Sequence, residues 1–309
     1  MKTFYFSSYA MTPALDQFNE SFESQYFKRL SQYQKITGIE HPFLFDKSVY
    51  SNKFLKMNIP DHWQIIITAL PVTMQSLKED QSFGLASSVE SSRQKAIDVM
   101  HQINHKVTEL NNLFQRQVVK AIHFQTAPTN HNHMKGSKRA LIDSLEEIRK
   151  WDWQLAQLNI EHCDAKMNDR VPEKGFLSLE DEIDAITEVG GFGLMLNWGR
   201  SVIEGHSIEQ AIKHIKFASQ SNCLSGYFFS GCTSNLSSAY GAFKDSHMPP
   251  KLNNEDDTKD SLLNEIEISK VYQQLIPNTY LGIKVSPSVK QFDLNSLLSM
   301  TEKSIAILS

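Results

Sequence analysis

Short stretches rich in β-branched and aromatic residues alternate along this chain with longer stretches whose apolar positions recur every three or four residues. The short runs are Thr3–Tyr9, Gly38–Leu44, Trp63–Pro71, Val119–Pro128, Leu158–Ala165, Phe192–Gly199, Leu224–Thr233 and Tyr280–Pro287, eight in all. Apolar runs of this length bounded by turn residues predict buried strands. Between them, Ala140–Leu158 places Leu141, Leu145, Ile148, Trp151 and Leu155 at helical spacing. Leu179–Val189 opens with Ser178 as an N-cap and Asp181 at the capping-box offset, and Ile208–Ala218 opens with Ser207. Strand–helix alternation predicts a parallel sheet. Eight such units in 309 residues predict one closed (β/α)8 TIM barrel spanning 1–309, with no Pro/Gly/Ser linker to divide it. The alternative is an open doubly wound sheet. It would want a glycine-rich phosphate turn after the first strand, where this chain has Ser7-Ser8-Tyr9-Ala10.

Two connections are long. The insertion 234–260 follows the seventh strand and carries Met248-Pro249-Pro250 and the acidic run Glu255-Asp256-Asp257. On the active face of a barrel it reads as a lid; the competing readings are a surface insertion and a contact between copies in a homo-oligomer. The loop Thr129–Gly136 carries His131, His133 and Lys135 within reach of a substrate or a metal, or simply in solvent. His101 and His105 sit at i,i+4 on a helical stretch but lack the neighbouring glutamate of a zinc motif, which favours a solvated face.

Composition narrows the classes. A chain 40% hydrophobic and 21% charged is globular, and a net charge of −4 without a basic stripe argues against nucleic acid as partner. No apolar run approaches the roughly 20 residues that span a bilayer, so no membrane partner is expected. The start Met1–Met11 lacks the apolar core of a signal peptide, and the three cysteines form no C-x-x-C pair. A reducing, cytoplasmic setting is the expectation.

Strand parity then sorts the chemistry. Barrel strands turn apolar residues outward onto the helices. With Ile39, Ile160, Leu194, Leu196, Trp198, Ile283 and Val285 outward, the inward residues near the strand ends are Ser7, Glu40, Thr68, His123, Gln125, Glu161, Asn197, Ser230 and Lys284. A barrel interior is normally filled by branched apolar side chains, and unpaired polar groups there are costly. Singly, Glu40 or Glu161 reads equally as a structural partner of Lys284 or Arg200, His123 as a satisfied core histidine, and Ser7, Thr68 and Ser230 as small fillers. Nine of them at one mouth predict a site.

The runs Gly38-Ile39-Glu40, Ile160-Glu161-His162 and Asn197-Trp198-Gly199-Arg200 resemble the xylose isomerase-like barrels, which include sugar isomerases, epimerases and the endonuclease IV branch. Ile160–Asp164 together with Asn197–Gly205 looks like the bacterial DUF4862 family. The resemblance implies a divalent-metal ligand at the end of the fifth strand, which Glu161 matches. It also implies Asp-x-x-His after the sixth strand, histidine on the seventh and glutamate on the eighth. Here stand Asn197-x-x-Arg200, Ser230-Gly231-Cys232 and Lys284. Two readings follow. In one, the chemistry is metal-independent and Arg200 and Lys284 supply the positive charge. In the other, one divalent ion sits in a displaced site on Glu161 with His123 or Glu40, helped by His162.

The leading functional expectation is an isomerase or epimerase acting on a small polar, sugar-like or anionic substrate by proton transfer next to a carbonyl. Glu161 is the general base, with Lys284 or His123 as acid or electrophile. Glu40, Gln125, His162, Asp164, Asn197, Arg200 and Ser230 contact substrate, Arg200 bidentately; its competing partner is Glu204 one helical turn on. Asp164 either orients His162 or caps its turn. The alternatives are a lyase or aldolase forming a Schiff base on Lys284, and a sugar-binding barrel without catalysis.

Overall fold

The computed structural model describes residues 2–45, 49–130, 136–167, 170–252, 257–290 and 292–309. The strands are β1 (Phe4–Phe6), β2 (Ile36–Pro42), β3 (Gln64–Thr68), β4 (Val119–Phe124), β5 (Gln157–Glu161), β6 (Phe192–Asn197), β7 (Leu224–Phe229) and β8 (Tyr280–Ile283). Each pairs in parallel with the next, and β8 pairs with β1, closing the barrel. Each predicted run overlaps one strand, usually along the N-terminal part of the run, while β2 and β5 begin before theirs, at Ile36 and Gln157. The remainder turns at once into loop or helix, because a barrel strand ends where its chain leaves the wall.

The helices are α1 (Ser8–Met11), α2 (Glu20–Leu30), α3 (Asn52–Asn58), α4 (Leu70–Glu79), α5 (Glu90–Phe114), α6 (Lys138–Ile148), α7 (Leu179–Val189), α8 (Trp198–Gly205), α9 (Ile208–Gln220), α10 (Glu265–Tyr272) and α11 (Leu294–Ile307). Ser178 and Ser207 cap α7 and α9 through their side chains, as expected from sequence. The stretch Ala140–Leu158 does not stay helical: α6 ends at Ile148, whose carbonyl accepts from the Trp153 indole at 2.9 Å. Gln154 and Leu155 then take positive φ, and Leu155 is 87% exposed. Its place in the apolar periodicity is coincidental.

Outward side chains of the strands join the helices in one large core. Inside the barrel lies a smaller plug of Tyr5, Ile66, Ala121, Met195 and Phe228, with Tyr280 against it. Gly282 lets Phe228 lie across the interior: a Cβ at 282 would meet the Phe228 ring at 2.2 Å. Side chains on one face of a strand recur every second residue. The next inward residue after each plug residue is therefore Ser7, Thr68, His123, Asn197 and Ser230. The plug forces the polar set to the C-terminal mouth. Among the described residues, no helix is long and apolar enough to cross a membrane.

Candidate active site

Lys284 extends from the end of β8 into the mouth and lies between two carboxylates. Its Nζ is 3.1 Å from Glu40 Oε2 and 3.7 Å from Glu161 Oε1. Glu40 also accepts from Ser7 Oγ at 2.5 Å and Tyr9 Oη at 3.2 Å, and its Oε1 lies 3.4 Å from His123 Nδ1. The other ring nitrogen of His123 is 2.8 Å from the Tyr280 hydroxyl. Glu161 accepts from Gln125 Nε2 at 2.6 Å, from Thr68 Oγ1 at 3.2 Å, and from Arg200 Nη1. Glu40, Glu161, His123, Arg200 and Lys284 are all fully buried.

The insertion after β7 completes this network. Asp245 Oδ2 accepts from Arg200 Nε at 3.1 Å and from Lys174 Nζ at 3.0 Å. His247 Nδ1 lies 3.2 Å from both Asp245 Oδ1 and Ser230 Oγ, and the His247 carbonyl accepts from Ser286 N. Further bridges, Gly231 with Met248 and Thr233 with Ala242, lay this segment over the strand ends. Part of the acidic run, Glu255 and Asp256, falls outside the described residues, as do His131, His133 and Lys135.

The result is an alternating chain of charges, buried at Glu40, Lys284, Glu161 and Arg200 and partly buried at Asp245 and Lys174. Burial alone would push Glu40 up, but the Lys284 ammonium, then His123 and Ser7, hold it below the usual carboxylate range. Burial opposes ionisation of Glu161 too, and Arg200 and Lys284 bring it down. Against its own burial, Lys284 is held above the ordinary lysine range by Glu40 first. Arg200 and then Lys174 keep Asp245 well below its usual value despite burial. Asn197 Nδ2 and Arg200 Nη2 in the mouth have no hydrogen-bond partner among the described residues, nor does His123 Nδ1, whose approach to Glu40 is an ion-pair contact. The Asn197 Oδ1 is occupied in capping α8, where it accepts from Arg200 N at 3.3 Å.

Three expected contacts are corrected. His162 does not face the mouth. It follows inward-pointing Glu161, so strand alternation sends it to the helix side, 2.7 Å from Glu182 Oε2 and 3.1 Å from Glu204 Oε2. Burial would lower its pKa, but Glu182 and then Glu204 push it up to about 10. Asp164 neither touches His162 nor enters the mouth; its carboxylate accepts from Lys174 N at 2.9 Å and so closes the loop after β5. Arg200 is neither at an open rim nor paired with Glu204, because it lies in the first turn of α8 directly behind Glu161. His101 and His105 form no site: His101 stacks on Trp151 at 3.7 Å. The sequence reading missed Tyr9, Lys174, Asp245, His247 and Tyr280. Only parity at Tyr280, two residues before Gly282 and four before Lys284, carried a signal.

The xylose isomerase-like resemblance implies a divalent metal here. Glu40, His123 and Glu161 do offer ligand atoms within 4.8 Å of one another. Yet the Lys284 ammonium sits 3.1 Å from one of these carboxylates, and Arg200 holds the other. An ion on these atoms would share its ligands with two fixed cations, so the donor set does not fit.

The chain belongs to the family described as Domain of unknown function (DUF4862), whose model matches residues 6–300. It is 33% identical over 243 residues to the "Uncharacterized protein STM3670" of Salmonella typhimurium strain LT2, covering 78% of this chain and 76% of that protein. Its fold is that of the xylose isomerase-like TIM barrels. It resembles the AP endonuclease, family 2, of Brucella melitensis with a TM-score of 0.60 and 12% identity, over 97% of this chain and 98% of that one. It resembles an L-ribulose 3-epimerase with a TM-score of 0.56 and 12% identity, over 98% and 91%.

Proposed function

We propose that this protein is an isomerase- or epimerase-like enzyme that moves a proton next to the carbonyl of a sugar or sugar acid, with fixed side-chain cations in place of a metal. The observation that carries this reading is Lys284, enclosed by Glu40 and Glu161 at the barrel mouth. Enolisation needs a carboxylate to take the proton and a positive group to hold the oxygen that becomes negative. Glu161 is kept ionised and takes the proton. Lys284 is kept protonated and meets the developing oxyanion. When it swings to that oxygen it stops compensating Glu161, whose basicity rises at the moment the base is needed. Returning the proton to the opposite face of the same carbon inverts it; returning it to the neighbouring carbon moves the carbonyl. His123 serves as the opposite-face acid in the first case; in the second Glu161 returns its own proton while the neighbouring hydroxyl proton passes to the former carbonyl oxygen. Asn197 Nδ2 and Arg200 Nη2 are ready donors for substrate hydroxyl or carboxylate oxygens.

A Schiff base on Lys284 is disfavoured by the same contacts, because a nucleophilic lysine must shed its proton and Glu40 holds it charged. The likeness to an AP endonuclease extends to the fold, and a net charge of −4 offers no footing for a polyanion. Since the charged network is buried, substrate enters when the Asp245–His247 segment lifts.

The test is incubation with a panel of ketoses, aldoses and sugar acids, followed by proton NMR, for wild type and Glu161→Gln. The expected result is interconversion of one epimer or isomer pair by wild type, reduced at least ~100-fold in the variant. Turnover unaffected in Glu161→Gln, or borohydride trapping of substrate on Lys284, would overturn the reading; tight binding without turnover would assign the barrel to sugar binding.

A further inference from the structure

A second cluster of metal-ligand chemistry lies outside the barrel, behind β5. His162 from the end of β5, Glu204 from α8 and His214 from α9 are all buried, and each offers a ligand atom within 4.8 Å of the others. The two imidazoles present the same nitrogen. His162 Nε2 is 3.1 Å from Glu204 Oε2, and His214 Nε2 is 3.2 Å from Glu204 Oε1.

Each ring is oriented from behind at its other nitrogen. His162 Nδ1 is 2.7 Å from Glu182 Oε2, and His214 Nδ1 is 3.0 Å from Ser201 Oγ. Glu182 is itself fixed by Thr126 Oγ1 at 2.5 Å. An oxygen on the remote ring nitrogen is the arrangement that sets tautomer and aim in metal-ligating histidines. The Gln210 amide lies 2.7 Å from His214 Nε2 and 3.2 Å from Glu204 Oε1. Its Nε2 donates to the Glu204 carboxylate, which only accepts; an ion on Glu204 would displace that hydrogen bond, and the amide turned end for end would then offer its oxygen as a fourth donor. Each histidine Nε2 stands 3.1 or 3.2 Å from an oxygen of Glu204, near the roughly 3.4 Å that separates ligands about 2.1 Å from a tetrahedral zinc.

The charge count agrees. Among the described residues, Glu182 and Glu204 have histidines as their ion-pair partners and no lysine or arginine. Two buried carboxylates balance a divalent cation once its binding displaces the proton that they hold on His162. A cavity of about 130 Å³ reaches the cluster at Glu204, between Asp164, Ala165, Ile203 and His206, with Arg170 and Lys244 also in its wall.

We propose that His162, Glu204 and His214, with Gln210, form a binding site for a divalent transition metal of the zinc class, separate from the barrel mouth, which ties β5, α8 and α9 together. The ion is structural: it touches no group of the mouth network.

The experiment is titration of chelator-treated full-length protein with Co(II), read by visible d–d absorption and competed with Zn(II), alongside thermal unfolding. The expected result is one equivalent bound with a tetrahedral spectrum, a raised Tm on adding Zn(II), loss of both effects in His214→Ala, and retention of both in Glu161→Gln. Gln210→Glu, which keeps an oxygen donor at that position, should still bind. Absence of Co(II) and Zn(II) binding by the folded wild type would overturn the proposal. So would an ion that survives His214→Ala and is lost in Glu161→Gln.

Discussion

An ammonium enclosed by two carboxylates costs little to keep while all three remain, and much when one is removed. Breaking a buried ion pair on one side typically costs roughly 3–5 kcal/mol, because the survivor stays buried and uncompensated. Lys284→Met should therefore lower stability by about that amount in a urea unfolding series. Lys284→Met combined with Glu161→Gln should recover part of the loss without turnover, because the proposed base has gone as well. A second residue tests the electrostatics away from the site. Burial of Glu23, in α2, pushes its carboxyl up to about 7 from 4.5, against the hydrogen bonds from Thr12 and Tyr50. The folded state then binds more protons than the unfolded state between those values, so stability falls as pH rises through that window, by up to ~3 kcal/mol. Glu23→Gln should remove that decline, as measured by unfolding midpoints from pH 4.5 to 7. At this scale much of the site was legible: parity alone turned Glu40, His123, Glu161 and Lys284 inward. It was overridden at His162, where the family motif suggested a contact that alternation next to Glu161 forbids.

Among the elements, the segment after β7 does most to define the closed mouth. Its Asp245 joins Arg200, which is fully buried, to Lys174 on the loop after β5. One carboxylate thus holds two loops over the strand ends. Asp245→Ala should leave Arg200 half-compensated, cost on the order of 3 kcal/mol, and raise both protease cleavage and amide exchange within residues 234–252. An unchanged exchange pattern there would show that the segment is not held by this contact. Neither Asp245 nor His247 could be found by pattern, because loops carry no period and their contacts depend on the whole fold. The same limit explains α6. Its heptad-like spacing runs on through Trp151 and Leu155, but the Trp153 indole caps Ile148 and the positive φ at Gln154 and Leu155 breaks the helix.

Taken whole, the molecule separates stability from chemistry along the barrel axis. The aromatic and aliphatic plug fills the interior, and Tyr5, Ile66, Ala121, Met195 and Phe228 are each followed two positions later by a polar group at the mouth. Closure of the barrel was legible because eight strand–helix units have few other ways to bury both faces of a parallel sheet. The alternating charges were not, because their order depends on which loop crosses which strand end. What distinguishes this mouth from a metal-centred one is that its positive charge is covalently attached, as Lys284 and Arg200. The most direct measurement is solvent-deuterium incorporation at the carbon next to the carbonyl of the turned-over sugar, by chelator-treated enzyme shown by circular dichroism to be folded. The account predicts that exchange persists after metal removal and is lost in Glu161→Gln. Exchange abolished by the chelator and restored by a divalent ion in both wild type and His214→Ala would contradict it.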